Sequence, residues 1–271
     1  MAAGLSNRRK HRGHNGGMDL GLAERVYVVT GGSKGLGFAT AAALVADGAR
    51  VVLASRDEKN MAEAVTRLEE QGAAGRAIGI AADLADPEAA GRLADATLSR
   101  HGRLDGALIS VGGPPPVRAA DATDDQWRDA FETVFLGAIR AVRTIIDRMT
   151  GEGAIGLVLS TSVRSPIAGL GISNGLRPGL AMVAKDMADE FGSRGIRVFG
   201  LMPGRIATDR MKELDEVTDP LAREQARAAI PLGRYGEPAE FGRTAAFLLS
   251  PAAGYITGSV IAVDGGALRS L

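Results

Sequence analysis

From Arg25 onward, short β-branched or apolar runs alternate with longer Ala- and Leu-rich segments whose apolar residues recur at helical spacing. The runs predict strands over Arg25–Thr30, Arg50–Ala54, Arg76–Ala81, Leu104–Ser110, Ile155–Ser162, Ile196–Leu201 and Ser259–Val263. The segments between them predict helices over Leu36–Asp47, Glu58–Gln71, Pro87–Arg100, Asp124–Met149, Ser173–Arg194 and Pro238–Leu249. Asp86 with Pro87 reads as an N-cap followed by a first helical residue, and Asp124 as another cap. Strands that are apolar on both sides, each followed by a helix, require a parallel sheet covered on both faces. No linker or repeat divides the series, so the expectation is one α/β domain with a doubly wound, seven-stranded parallel sheet flanked by helices. The charged stretch Arg205–Arg234 is the least regular and is expected to form a mobile lid over a substrate.

Charge and composition then narrow the function. Arg8, Arg9, Lys10 and Arg12 lie in a Gly/Asn/His-rich opening without an acidic residue. Residues 1–17 are therefore expected to be a disordered basic tail, with the domain spanning 18–271 and Met18 an equally natural start. Over the whole chain 32 Lys and Arg balance 32 Asp and Glu, which removes bulk attraction to nucleic acid or a membrane surface. No run of about 18 apolar residues occurs. With no cysteine there can be no disulfide, thiolate nucleophile or thiolate metal site, and the three histidines do not have ligand spacing. No metal, nucleic acid or membrane partner is expected, and the cytoplasm is the default compartment.

The strongest chemical signal follows the first strand. Val26–Thr30 runs into Gly31, Gly32, Ser33, Lys34, Gly35, Leu36 and Gly37, and then into an Ala-rich helix. Glycines in a strand-to-helix turn let the backbone approach a pyrophosphate, and the helix N-terminus offers unpaired amides to its charge. The pattern predicts a Rossmann-type dinucleotide site.

Thr30–Gly37 reads Thr-Gly-x-x-x-Gly-x-Gly and resembles the fingerprint of the short-chain dehydrogenase/reductase family. The resemblance extends from about Leu20 to Gly266. Asp83 with Leu84 is similar to the family's adenine-contacting Asp-Val pair, and Val111 with Gly112 to the end of its Asn-Asn-Ala-Gly. Pro203, Gly204, Arg205, Ile206, Ala207 and Thr208 resemble the turn that holds the nicotinamide carboxamide. The stretches from Gly233 to Glu240 and from Ile256 to Gly266 are also close to its consensus. Where NAD-specific members carry an acid after the second strand, this chain has Ser55 and Arg56, so NADP(H) is expected, with Arg56 and Lys34 neutralising the 2′-phosphate. The family builds dimers and tetramers from its long helices, which implies a homo-dimer or homo-tetramer here.

The catalytic positions depart from the family. Ser162 falls where the carbonyl-polarising serine stands, but the Tyr-x-x-x-Lys pair aligns with Ser173 and Arg177, and Val134 stands for the relay asparagine. A serine hydroxyl is far less acidic than a tyrosine, and a guanidinium is not a proton donor. Losing general acid catalysis costs about a hundred- to ten-thousandfold in rate. Three readings remain open: Ser162, Ser173 and Arg177 stabilise an alkoxide that takes its proton from water; a substrate group or a lid residue such as Arg205 or Asp209 completes the site; or the protein binds dinucleotide without turnover. Arg177, four residues after Ser173, keeps both side chains on one helical face and can still bond the nicotinamide ribose. Pro178 removes one helical hydrogen bond and is expected to kink the helix. Arg164 reads as a substrate-anion anchor or a surface charge, and the Gly112–Pro116 loop as one wall of the substrate pocket. The resulting expectation is an NADPH-dependent reductase similar to the ketoacyl-reductase branch, acting on a small carbonyl or alcohol. The alternatives are a non-redox sensor or scaffold and an enzyme of another reaction type, such as dehydration or isomerisation.

Overall fold

The computed structural model describes residues 19–216 and 219–270; the basic tail expected over residues 1–17 lies outside them. Strands β1 (Val26–Thr30), β2 (Arg50–Ser55), β3 (Ala77–Ala81), β4 (Gly106–Ile109), β5 (Gly153–Val158), β6 (Ile196–Pro203) and β7 (Val260–Val263) form one parallel sheet in the order β3-β2-β1-β4-β5-β6-β7. Between them run α1 (Gly35–Ala46), α2 (Glu58–Leu68), α3 (Ala89–His101), α4 (Asp124–Ala130), α5 (Gly137–Arg148), α6 (Gly171–Phe191), α7 (Asp209–Glu216), α8 (Pro220–Ala228) and α9 (Pro238–Leu249). This is the expected single α/β domain with a doubly wound, seven-stranded sheet. Successive side chains of a strand leave on opposite faces. Tyr27 and Val29 thus join one core with α1 and α9, while Val28 joins a second with α3, α5 and α6. The helices α1 and α9 touch so closely that a Cβ on Gly242 would stand 2.3 Å from the Ala39 carbonyl oxygen.

Several boundaries differ from the sequence expectation, each for a local reason. Thr123, not Asp124, caps α4: its hydroxyl accepts from the Gln126 amide, and the Gln126 side chain accepts from the Thr123 amide. Asp86 accepts from the Glu88 amide and so closes a turn ahead of α3, which begins at Ala89 rather than Pro87. The long helix predicted over Asp124–Met149 widens into a π-turn at Phe131–Leu136, between α4 and α5. The fifth strand ends at Val158, and Ser162 lies in a 3-10 turn, Thr161–Val163. Helix α6 starts two residues before Ser173 and continues through Pro178, whose missing N–H leaves the Asn174 carbonyl without its helical donor. The stretch expected to be irregular contains α7, capped by Thr208, and α8, capped by Asp219 with Pro220 first in the helix.

At the amino end of the sheet, Asp105 is buried and accepts from the Val26 amide at 2.8 Å, Arg25 at 3.1 Å and Arg103 at 2.6 and 2.8 Å. Asp105→Ala leaves that buried amide unpaired. Because both arginines remain partly exposed, the expected cost is about 2–3 kcal/mol, read as a lower denaturant midpoint with an unchanged slope.

Candidate active site

The strands run outward from β1 to β3 on one side and from β4 to β7 on the other, so the switch point falls between β1 and β4. In open α/β sheets the crevice at the carboxyl ends of such strands takes ligands. Thr30 fastens the two strands there: its hydroxyl donates to the Ser110 carbonyl at 2.9 Å and accepts from the Ser110 amide at 2.8 Å. Gly31 follows with φ +59°, and the Gly32 amide donates to the Ala54 carbonyl at 3.1 Å, tying the turn to the end of β2. Helix α1 begins at Gly35 with no side-chain cap and no acid in its first turn, so its first amides face the crevice without a competing anion. Ser33, Lys34, Leu36 and Gly37 complete this turn, with Lys34 exposed and Gly37 buried.

The other expected cofactor positions line the same edge. Ser55 ends β2 and its hydroxyl donates to the Asp57 carbonyl; Arg56 beside it is exposed. The carboxylate of Asp57 accepts from the Asn60 amide as the cap of α2. Asp83 and Leu84 form a turn after β3, held from α5 by Arg140, which reaches the Leu84 carbonyl at 3.4 Å and pairs with Glu132 at 2.8 Å. Val111 and Gly112 continue from β4. Pro203 and Gly204 leave β6, Ile206 is buried, and the methyl of Thr208 lies 3.6 Å from where a Cβ on Gly35 would stand.

Next to this crevice the Ser162 and Ser173 hydroxyls meet at 3.4 Å, both buried. Ser162 is positioned by the turn after β5, where its amide donates to the Ser160 hydroxyl, and Ser173 by the first turn of α6. One turn further along α6, Arg177 is 4% exposed and donates to the Val158 carbonyl at 2.7 Å. Burial pushes its guanidinium down to about 10, which still leaves it charged at neutral pH. The chain therefore brings Ser162 and Ser173 into contact and places Arg177 one helical turn on, bonded to Val158 rather than to either serine. Val134 is buried against Ala130, Ile172 and Leu176 and offers no polar atom to a relay.

No tyrosine substitutes for the missing acid. Tyr27 is buried under the sheet, donates to the Leu249 carbonyl and is shifted upward by desolvation. Tyr235 donates to Asp215, which also pairs with Arg205 at 3.1 Å, and Tyr255 is fully exposed. Arg205 thus ties the turn after β6 to α7, and Asp209 pairs with Lys212 on the exposed face of α7. Arg164 is exposed at the rim of a cavity of about 210 Å³ that it shares with Asp264 and Met202.

Three positioning contacts were not foreseen. Asn174 holds the loop before α6 by bonding both the amide and the carbonyl of Ile167. Arg210 reaches from α7 to the Pro114 carbonyl at 3.3 Å, joining α7 to the proline loop. Ser110 completes the Thr30 staple described above. Asn174 adjoins a motif residue and was the most findable; the partners of the other two are distant in sequence. Among the described residues no cluster of His, Asp or Glu could hold a metal ion, and no helix is long and apolar enough to cross a membrane.

A parallel sheet with a glycine-rich turn at its switch point is the arrangement of a dinucleotide-binding α/β protein, here with a buried hydroxyl pair beside it. Residues 31–267 match the family model described as Enoyl-(Acyl carrier protein) reductase. The chain is 33% identical to the A-factor type gamma-butyrolactone 1′-reductase (1S-forming) of Streptomyces virginiae, covering 90% of this chain and 96% of that protein. It is 32% identical to a 3-oxoacyl-[acyl-carrier-protein] reductase of Synechocystis, covering 90% and 97%. Among solved structures, L-sorbose reductase of Gluconobacter frateurii complexed with NADPH and L-sorbose superposes with a TM-score of 0.85 at 30% identity, covering 94% of this chain and all of that one. An NADPH-bound short chain oxidoreductase of Pseudomonas aeruginosa, described as containing an atypical catalytic center, also gives 0.85 at 30% identity, covering 92% and 98%. The chain belongs to the short-chain dehydrogenase/reductase family. It is an oxidoreductase that uses a nicotinamide dinucleotide on a small molecule.

Proposed function

We propose that the protein is an NADPH-dependent reductase of a small carbonyl compound, related to the ketoacyl reductases. In this reading the glycine turn from Gly31 to Gly37 carries the pyrophosphate, and Ser33, Lys34, Ser55 and Arg56 carry the 2′-phosphate end. Asp83 and Leu84 flank the adenine, Val111 and Gly112 back the cofactor, and Pro203, Gly204, Ile206 and Thr208 hold the carboxamide. Arg177 also bonds the nicotinamide ribose. The observation that carries NADPH over NADH is at the end of β2: the carboxylate of Asp57, next to Arg56, is committed to capping α2, whereas Arg56 and Lys34 are exposed and have no ion-pair partner among the described residues. Arg56→Glu is expected to weaken NADPH binding by about tenfold to a hundredfold, the worth of one charge-assisted bond, and to leave NADH binding within a few fold. Fluorescence titration with both nucleotides decides; an unchanged preference would sink the NADPH assignment.

When bound, the dihydronicotinamide would supply hydride to a carbonyl carbon; Ser162 and Ser173 would donate to the developing alkoxide oxygen, and the Arg177 charge would stabilise it. Water then supplies the proton. Support for an NADPH-binding member that departs from the family's catalytic pattern comes from the Pseudomonas oxidoreductase, whose description couples bound NADPH with an atypical catalytic center. The absence of a tyrosine near Ser162 favours one other reading, a dinucleotide sensor without turnover, and NADPH oxidation against a carbonyl panel separates the two.

The assembly is proposed to be a homo-dimer or homo-tetramer. Phe131 is 45% exposed and stacks on Phe135, and Met182 on α6 is 70% exposed, an apolar face larger than a solvated helix needs. Light scattering is expected to give two or four times the chain mass of 28.0 kDa, and a monomer at micromolar concentration would overturn the proposal.

A further inference from the structure

Helix α5 turns two residues toward one carbonyl group. A Cβ on Gly137 would stand 2.6 Å from the Leu84 carbonyl oxygen. Arg140, three residues on and so on the same helical face, donates to that oxygen at 3.4 Å and to the Ala85 carbonyl at 3.5 Å. These bonds are long, but the guanidinium that makes them is fixed by Glu132 at 2.8 Å and its side chain is only 16% exposed. Glu132 precedes Arg140 by eight residues, which in a regular α-helix would leave the two about 80° apart around the axis. The π-turn over Phe131–Leu136 absorbs one extra residue, so the pair comes within about 20° of a common face. The segment they address is stiff. Asp83 accepts from the Ala85 amide on its side chain and from the Asp86 amide on its carbonyl, both at 3.0 Å, and the Ala82 amide donates to the Ser55 carbonyl at the end of β2. A displacement at Leu84 therefore moves the exposed Asp83 with it.

We propose that Gly137 and Arg140 are positioning residues for the adenine end of the dinucleotide. Both act through the Leu84 carbonyl: Gly137 leaves the room that lets the turn settle against α5, and Arg140, held by Glu132, draws it there. The inference rests on the placement of the adenine at Asp83 and Leu84 proposed above, and needs neither residue to touch the nucleotide. The sensitivity comes from hydrogen-bond geometry, which weakens steeply with misalignment. A methyl at Gly137 meets a backbone oxygen that cannot swing aside, so the turn itself has to shift by several tenths of an ångström. Removing the Arg140 guanidinium leaves the same carbonyl without its donor and Glu132 without its partner. One change pushes the turn and the other releases it, so the two variants reach the same site by independent means.

The test titrates the full-length wild type, Gly137→Ala, Arg140→Leu and Arg140→Lys calorimetrically with three probes. These are NADPH, 2′,5′-ADP, which carries the adenine end alone, and reduced nicotinamide mononucleotide, which lacks it. Gly137→Ala and Arg140→Leu are each expected to weaken NADPH and 2′,5′-ADP by the same factor, about tenfold, and to leave the mononucleotide within about twofold. Arg140→Lys should recover part of the loss, to about threefold, because it keeps the charge opposite Glu132 but not the fork that spans Glu132 and the carbonyls. A role confined to stability would lower the melting temperature without separating the probes. Binding of 2′,5′-ADP within about twofold of wild type by either folded variant, or equal weakening of all three probes, would overturn the inference. A wild type that binds none of the probes would instead overturn the dinucleotide reading on which it rests. Should Gly137→Ala or Arg140→Leu not fold, the other variant and Arg140→Lys decide.

Discussion

Gly37→Val is expected to abolish NADPH binding, raising Kd by at least about a hundredfold while the sheet still forms. A Cβ on Gly37 would stand 2.3 Å from the Gly31 carbonyl oxygen and 2.8 Å from its carbon, with the Thr30 oxygen at 3.1 Å. These are backbone atoms of the turn itself, so no side chain can swing aside. The turn would have to open, yet Gly31 cannot retreat, because its own Cβ position already lies 2.7 Å from the Ser110 carbonyl, and Gly32 is tied to Ala54. Overpacking of this kind costs about 1–3 kcal/mol in stability, and displacing even two of the amides aimed at the pyrophosphate removes bonds to charge worth about 1.5–3 kcal/mol each. Circular dichroism should retain the mixed α/β spectrum while NADPH titration shows no saturation. Binding within threefold of wild type would mean that the pyrophosphate is carried elsewhere.

That turn was legible because its chemistry is local. A strand, a run of glycines and a helix stand within about a dozen residues, and the alternation of Tyr27, Val28 and Val29 between two cores is the period that a buried strand requires. The ends of elements were less legible. Ser162 reads as strand from its neighbours, but the last ladder bond of β5 is the Leu159 amide to the Leu201 carbonyl, so the boundary is set by a strand more than forty residues away. Helices α7 and α8 escaped because they bury no residue against the core; their caps, Thr208 and Asp219, define them instead. The candidate trio came from the family resemblance, which aligns Ser162, Ser173 and Arg177 with its catalytic positions; spacing adds that Ser173 and Arg177 share one face of a helix. What could not be read is that Arg177 is almost fully buried and bonded to a carbonyl nineteen residues earlier. That burial strips water from the guanidinium and works against its charge, which the residue type supplies.

Ser162→Ala should lower kcat by about a hundred- to a thousandfold, the usual cost of one donor in an oxyanion site, with the Kd for NADPH unchanged. The two hydroxyls at 3.4 Å form one donor unit: whichever points at its neighbour, the other presents its hydrogen outward. Deleting Ser162 removes a donor and also frees Ser173 to rotate, so the geometry is lost along with the bond. Ser173→Ala should cost about as much, and the double variant little more, because residues that act as a unit are not additive. Additive losses would mean that the two serines bond the oxygen independently. No loss in either variant would move the chemistry away from this pair and leave Arg177 as the only group near the carbonyl with a charge to offer. Restoring an acid offers an independent measure of how much the serine arrangement lacks. Ser173→Tyr combined with Arg177→Lys rebuilds the family's pair in the first two turns of α6, and general acid catalysis would then be limited by whether the phenol reaches past Ser162 to the substrate oxygen. The Ser162→Ala result ranks these possibilities first, since it alone removes a donor without altering charge, cofactor contacts or the packing of α6.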